Sequence, residues 1–148
     1  MQKVSKDIRQ TQKIAENFLK SIQKKKNKNA CVVGLYGNLG TGKTAFTQKV
    51  AKILGVKRKV NSPTFMIMNN YKLKNKNYKL LIHIDAYRLK NKKELLLLGW
   101  KGIISDPRNI IFIEWPENVK GALPKKHHKI FISHTKEGYR KFKIKKAQ

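Results

Sequence analysis

Apolar residues recur along the chain in two periods, close to four and close to two, and the change from one to the other marks the expected elements. Ile8, Ile14, Phe18, Leu19 and Ile22 fall near helical spacing, which predicts an amphipathic helix from Ser5 to about Ile22, with Ser5 or Asp7 able to cap it. The like charges of Lys24-Lys25-Lys26-Asn27-Lys28-Asn29 break it and read as a solvated loop. Ala30 to Tyr36 is a short, partly β-branched apolar run of the kind a buried parallel strand requires. From Lys43 the period returns to helical: Phe46, Val50, Ile53 and Leu54 share a face, and Gly55 follows as a stop.

The second half of the chain is richer in strands. Phe65 to Leu73 and Tyr78 to Ala86 flank the polar tip Lys74-Asn75-Lys76-Asn77 and predict an antiparallel hairpin. Lys92 to Leu98 reads as helix, and Gly102 to Pro107 as a loop carrying Asp106. Asn109 to Ile113 is a strand-like run that ends in Glu114-Trp115-Pro116. His127 to His134 and Tyr139 to Lys145 alternate around Lys136-Glu137-Gly138, which predicts a second hairpin, at the sheet edge, with its basic side chains in solvent.

At 148 residues and 17.2 kDa the chain has room for one domain with a real core and too little for two. Cys31 is the sole cysteine and falls in a strand expected to be buried, so a packing role and a reducing compartment are expected. The N-terminus leads into a charged segment with no apolar core of signal-peptide length and no later run approaches a membrane span, so a soluble cytoplasmic protein is expected, with no membrane partner. The net charge of +27 would suit a phosphate-rich partner. Yet lysine greatly outnumbers arginine and is scattered among abundant Asn and Ile, as drift toward adenine- and thymine-rich codons would produce.

The chemistry centres on Gly37-Asn38-Leu39-Gly40-Thr41-Gly42-Lys43-Thr44, which fits the G-x-x-x-x-G-K-[ST] phosphate loop and lies between an expected strand and an expected helix. Glycines let backbone N–H groups curl around phosphate oxygens, the helix N-terminus adds partial positive charge, Lys43 would reach the outer phosphates, and the Thr44 hydroxyl would coordinate Mg²⁺. Four apolar residues followed by Glu114 match the second landmark of such proteins, a strand-end carboxylate for the metal, although the usual residue is Asp. Trp115 is either core or a lid over the site. Asp85 is a second strand-end carboxylate; it either serves the nucleotide chemistry or merely closes its strand with local hydrogen bonds to Tyr87 or Arg88. Ser62-Pro63-Thr64 is either a switch that senses the terminal phosphate or a plain turn. His83 reads as a packed strand histidine rather than a metal ligand, and the adjacent His127 and His128 point to opposite faces of a strand.

Taken together, the phosphate loop, Ser62-Pro63-Thr64, His83-Ile84-Asp85-Ala86-Tyr87-Arg88, the segment from Glu94 to Gly99 and Ile113-Glu114-Trp115-Pro116-Glu117 resemble the TsaE (YjeE) family over about residues 5–145. These are bacterial ATPases required for threonylcarbamoyladenosine in tRNA. The resemblance implies a single-domain α/β P-loop NTPase fold with a mixed parallel/antiparallel sheet flanked by helices, an ATP site and Mg²⁺. It implies TsaB and TsaD as partners, TsaD being the transferase for the adenosine 3′ of the anticodon, with tRNA met indirectly or weakly. Gly40 to Ala45 would line the phosphates, Thr44 and Glu114 would hold Mg²⁺, and Asp85 would lie near the water or metal. Family comparison also brings Asp7 and Glu137 toward the base side of the nucleotide. Two other classes compete. A small-molecule P-loop kinase would need a lid rich in arginine, and Arg9, Arg58, Arg88, Arg108 and Arg140 are scattered. A nucleic-acid-binding module with ATP only as a ligand rests on charge alone.

Overall fold

The computed structural model describes residues 1–23, 27–61 and 67–147. Its elements, in chain order, are β1 (Gln2–Ser5), α1 (Ile8–Ile22), β2 (Cys31–Tyr36), α2 (Lys43–Ile53), β3 (Met68–Lys72), β4 (Leu80–Asp85), α3 (Lys92–Leu96), α4 (Trp100–Ser105), β5 (Asn109–Glu114), β6 (His128–His134) and β7 (Arg140–Lys145), with a 3-10 segment at Pro116–Ala122. The strands form one seven-stranded sheet in the order β1-β7-β6-β2-β5-β4-β3. The inner strands β6, β2, β5 and β4 run parallel, while β3, β7 and β1 pair antiparallel on the two flanks. This is the mixed sheet expected of the fold.

Both faces of the sheet are covered. One apolar cluster joins Ile14, Phe18 and Ile22 of α1 and Phe46 and Val50 of α2 to Leu35, Leu81, Phe112 and Ile130 of the strands. The other joins Leu95, Trp100 and Val119 to Ile82, Ile84, Ile111 and Ile113. Burial on both faces is why β2 and β5 read as continuous apolar runs rather than alternating ones. The alternation of side chains still sorts them. In β4, Leu81 lies on the face toward α1 and α2, and His83 and Asp85, two and four residues on, share that face.

Four expectations are corrected. The first strand was not anticipated: Ser5 ends β1 instead of starting α1, and the helix begins at Ile8, capped by Asp7, whose Oδ1 accepts from the Gln10 N–H at 2.9 Å. Ile8 falls outside the apolar stripe and is exposed. The last hairpin is not at the edge, because β6 pairs with β2 and β1 covers β7. The stretch from Gly102 lies in helix α4 through Ser105, where Trp100 is buried and donates its indole N–H to the Ala122 carbonyl at 2.9 Å; an anchored aromatic holds a short helix that the glycine made unlikely to be read as one.

Candidate nucleotide site

Three parallel strands deliver the chemistry to one end of the sheet. The glycine loop leaves the C-terminal end of β2, Asp85 ends β4 and Glu114 ends β5, and Asp85 and Glu114 are register partners. Ligands of open α/β sheets bind outside these carboxyl ends. A cavity of about 280 Å³ lies here, walled by Leu39, Gly40, the run Gly42–Ala45, and Asp85, Tyr87, Glu114 and Trp115.

Two glycines of the loop are required, Gly37 by its surroundings and Gly42 by its backbone conformation. A Cβ on Gly37 would stand 2.4 Å from the Ile132 carbonyl oxygen, which is backbone and cannot swing away. Gly42 caps α2 with φ +105°, and a Cβ there would stand 2.9 Å from the Arg140 guanidinium carbon. Arg140, at the start of β7, therefore lies against the phosphate loop, and His134 Nε2 is 3.1 Å from the Gly40 carbonyl oxygen. Inside the loop, Thr41 donates to the Asn38 carbonyl at 2.9 Å.

Lys43 is almost fully buried and folds back on the loop it belongs to. Its ammonium donates to the carbonyls of Gly37 at 2.5 Å and Asn38 at 2.9 Å, and it lies 4.5 Å from the centre of the Trp115 ring. Burial pulls its pKa below the usual lysine range, while the charges of Glu114, Glu117 and Asp85 act the other way. Trp115 takes a left-handed conformation, φ 57°, alone among the described non-glycine residues, and this turn sets its ring between Lys43 and Tyr87, 5.1 Å from the latter's ring. It is partly exposed, as a lid residue would be, and packs against the second apolar cluster.

Next to the lysine stands an oxygen cluster. The Thr44 hydroxyl is 3.1 Å from Oε1 and 3.0 Å from Oε2 of Glu114. Glu114 is buried, and its Oε2 also accepts from His83 Nε2 at 2.6 Å. Asp85 closes one wall of the cavity, and its Oδ1 accepts from the Tyr87 N–H at 3.0 Å. The local hydrogen bond weighed as an alternative is thus present, on a carboxylate that also faces the cavity. A hydroxyl and two carboxylates are hard donors of the kind Mg²⁺ takes. Among the described residues no cluster of three or more His, Cys, Asp or Glu forms a closed metal cage. Mg²⁺ usually relies on one or two protein carboxylates together with phosphate oxygens, and Glu114 and Asp85 are the carboxylates that wall the cavity.

The remaining expected residues divide. Asp7 lines a second cavity, of about 190 Å³, with Ser5, Thr11, Gly138, Tyr139 and Arg140, so the helix cap and the last turn do converge. Glu137 is exposed in that turn and does not line the cavity. Ser62, Pro63 and Thr64 lie outside the described residues. Sequence reasoning left out Arg140 and His134 at the loop, and it placed His83 in the packing without its bond to Glu114. The signal for His83 was present: it stands two residues before Asp85 and so shares its face.

A phosphate loop opening a helix, with a hydroxyl–carboxylate pair at the neighbouring strand end, marks the single-domain P-loop NTPase fold. The sequence profile of the family described as "Threonylcarbamoyl adenosine biosynthesis protein TsaE" matches residues 5–142, and the chain belongs to that family. It is 31% identical over 112 residues to the tRNA threonylcarbamoyladenosine biosynthesis protein TsaE of Haemophilus influenzae, covering 76% of this chain and 68% of that one. It is 37% identical over 103 residues to the TsaE of Bacillus subtilis, covering 68% of this chain and 60% of the relative. The chain thus spans about two thirds or less of the length of these relatives. The crystal structure of YdiB from Bacillus subtilis superposes with a TM-score of 0.77 over all of this chain and 86% of that one, at 24% identity, which shows the fold. Among the described residues no helix is long and apolar enough to cross a membrane.

Proposed function

We propose that the chain binds ATP with Mg²⁺ in the 280 Å³ cavity and hydrolyses it in support of tRNA threonylcarbamoyladenosine synthesis, acting in the cytoplasm with TsaB and TsaD. The observation that carries this reading is the convergence of Lys43, Thr44 and Glu114 at the end of β2 and β5. The family match and the names of the relatives support the pathway.

In this reading the loop N–H groups and Lys43 hold the phosphates, with Lys43 exchanging its bonds to the Gly37 and Asn38 carbonyls for phosphate oxygens. Thr44 and Glu114 would hold the metal, which when bound neutralises charge on the phosphate oxygens. Asp85, fixed by the Tyr87 N–H, orients the attacking water. Ser62-Pro63-Thr64, between α2 and β3, serves as the switch through which partners sense the nucleotide. The chain is not the transferase; hydrolysis resets the assembly with TsaB and TsaD between turnovers, and tRNA is met indirectly.

The test is ATP hydrolysis by the pure protein with and without TsaB and TsaD. Hydrolysis that rises with both partners and is lost in Glu114→Gln and Asp85→Asn is expected, with Asp85→Asn keeping near-parental ATP affinity and Glu114→Gln losing Mg²⁺ dependence. Absence of hydrolysis in every combination, or transfer of the phosphate to a small-molecule acceptor, would overturn it.

A further inference from the structure

His83 is completely buried in the centre of β4, an inner strand, under the helix that follows the phosphate loop. Its Nε2 lies 2.6 Å from Glu114 Oε2, and since the carboxylate accepts, the imidazole donates. Its other nitrogen, Nδ1, has no hydrogen-bond partner among the described residues. For packing alone this is a poor choice: a leucine would fill similar space beside Leu81 and Phe112 without leaving a ring nitrogen unpaired. What the imidazole does that an aliphatic residue cannot is hold Glu114. The carboxylate is reached by two donors, the His83 ring on Oε2 and the Thr44 hydroxyl within reach of both oxygens. The alternation of β4 makes this possible, because His83 and Asp85 share a face and Glu114 stands opposite Asp85 in the register.

We propose that His83 is a positioning residue for the nucleotide site. Its Nε2–H aims Glu114 at Thr44, so that the carboxylate is already oriented toward the phosphate loop and is not spent on another partner. This rests on the reading of Glu114 as a metal-holding residue given above.

The experiment measures ATP affinity by calorimetry, with Mg²⁺ and with excess chelator, for the full chain and four variants: Glu114→Gln, His83→Gln, His83→Asn and His83→Leu. A glutamine amide nitrogen reaches the place of Nε2, whereas an asparagine amide reaches only that of Nδ1. His83→Asn and His83→Leu should each reduce the Mg²⁺-dependent gain in ATP affinity about tenfold, within the range of lost outer-shell partners. Metal-free ATP affinity should stay within about threefold, and His83→Gln should restore the gain to within about threefold of the parent. If His83→Leu does not fold, the contrast of Gln with Asn carries the same test. Glu114→Gln losing the Mg²⁺ gain while the His83 variants keep it overturns the proposal and leaves the function reading standing. A parent protein with no Mg²⁺ gain, or an unaffected Glu114→Gln, overturns both. Equal losses in all three His83 variants, or losses equal with and without Mg²⁺, show a packing role and also overturn it.

Discussion

Replacing Lys43 by methionine keeps the stem and removes the charge, which separates two roles that the lysine combines. The ammonium makes two bonds to carbonyls, at 2.5 and 2.9 Å, and stands 4.5 Å from the centre of the Trp115 ring. Bonds to a charged group contribute about 1.5–3 kcal/mol each when counted alone, and a cation over an indole about 0.5–2 kcal/mol. Summing them would make Lys43 a large stabiliser. The direction of its pKa argues against the sum: burial disfavours the charged form more than Glu114, Glu117 and Asp85 favour it, so desolvation takes back what the contacts give. The expected change in unfolding free energy for Lys43→Met is therefore within about 1 kcal/mol, read from urea melts. ATP affinity should behave differently, because the phosphates lose a charge-assisted partner in a buried loop. A loss of about 2–3 kcal/mol corresponds to a Kd raised roughly 30- to 150-fold, measured by calorimetry. A variant destabilised by more than about 3 kcal/mol would show that Lys43 holds the loop together rather than the ligand. Affinity within about threefold of the parent would show that Lys43 does not meet the phosphates.

Three further outcomes follow from the same geometry. Cys31 is buried with its thiol pKa pushed up to about 12 by burial, against a lowering hydrogen bond with Tyr78, so labelling by a thiol reagent at pH 8 should be about a hundredfold slower in the native protein than in urea; equal rates would show the strand to be open. The Asp106 carboxyl is held well below its usual range, first by Lys79 at 2.5 Å and then by the Arg108 backbone and side chain. A depressed folded-state pKa means stability that is full above the unfolded value of about 3.8 and is lost as pH falls through the folded one. Asp106→Asn should then lower Tm slightly at pH 7, by a margin that shrinks below pH 4, and a margin constant down to pH 2 would refute the linkage. Phe46 has no exposed surface and packs against the rings of Phe112 and Phe142, so Phe46→Ala should cost about 3–5 kcal/mol in a urea melt; a cost under 1 kcal/mol would mean that α2 is not anchored there.

The sequence was legible where one local signal sufficed. The glycines, Lys43 and Thr44 form a motif whose geometry follows from backbone requirements alone, and the apolar runs of β2 and β5 announced strands buried on both faces. It was less legible where a residue's role depends on what crosses from elsewhere in the chain. The four residues of β1 carry no strand pattern of their own and are ordered by pairing with β7, where Met1 also bonds to Ile144. Arg140 could be read as one of five scattered arginines, because nothing nearby in sequence shows that β7 brings it against Gly42. His83 was read correctly as buried, but the bond to Glu114 spans 31 positions and belongs to the register of β4 on β5. The helix α4 was hidden by Gly102, and Trp100 restores it through a contact 22 residues away.

The proposed function requires ATP to place its phosphates on the Gly37–Thr44 loop, where Thr44 and Glu114 would hold the metal. The most direct measurement is a crystal structure with a non-hydrolysable ATP analogue and Mn²⁺ in place of Mg²⁺, read by the anomalous signal of the metal. One anomalous peak is expected within coordinating reach of the Thr44 hydroxyl, directly or through one water from Glu114, with Lys43 moved off the Gly37 carbonyl onto phosphate. A nucleotide bound elsewhere, or a metal held away from both Thr44 and Glu114, would contradict it.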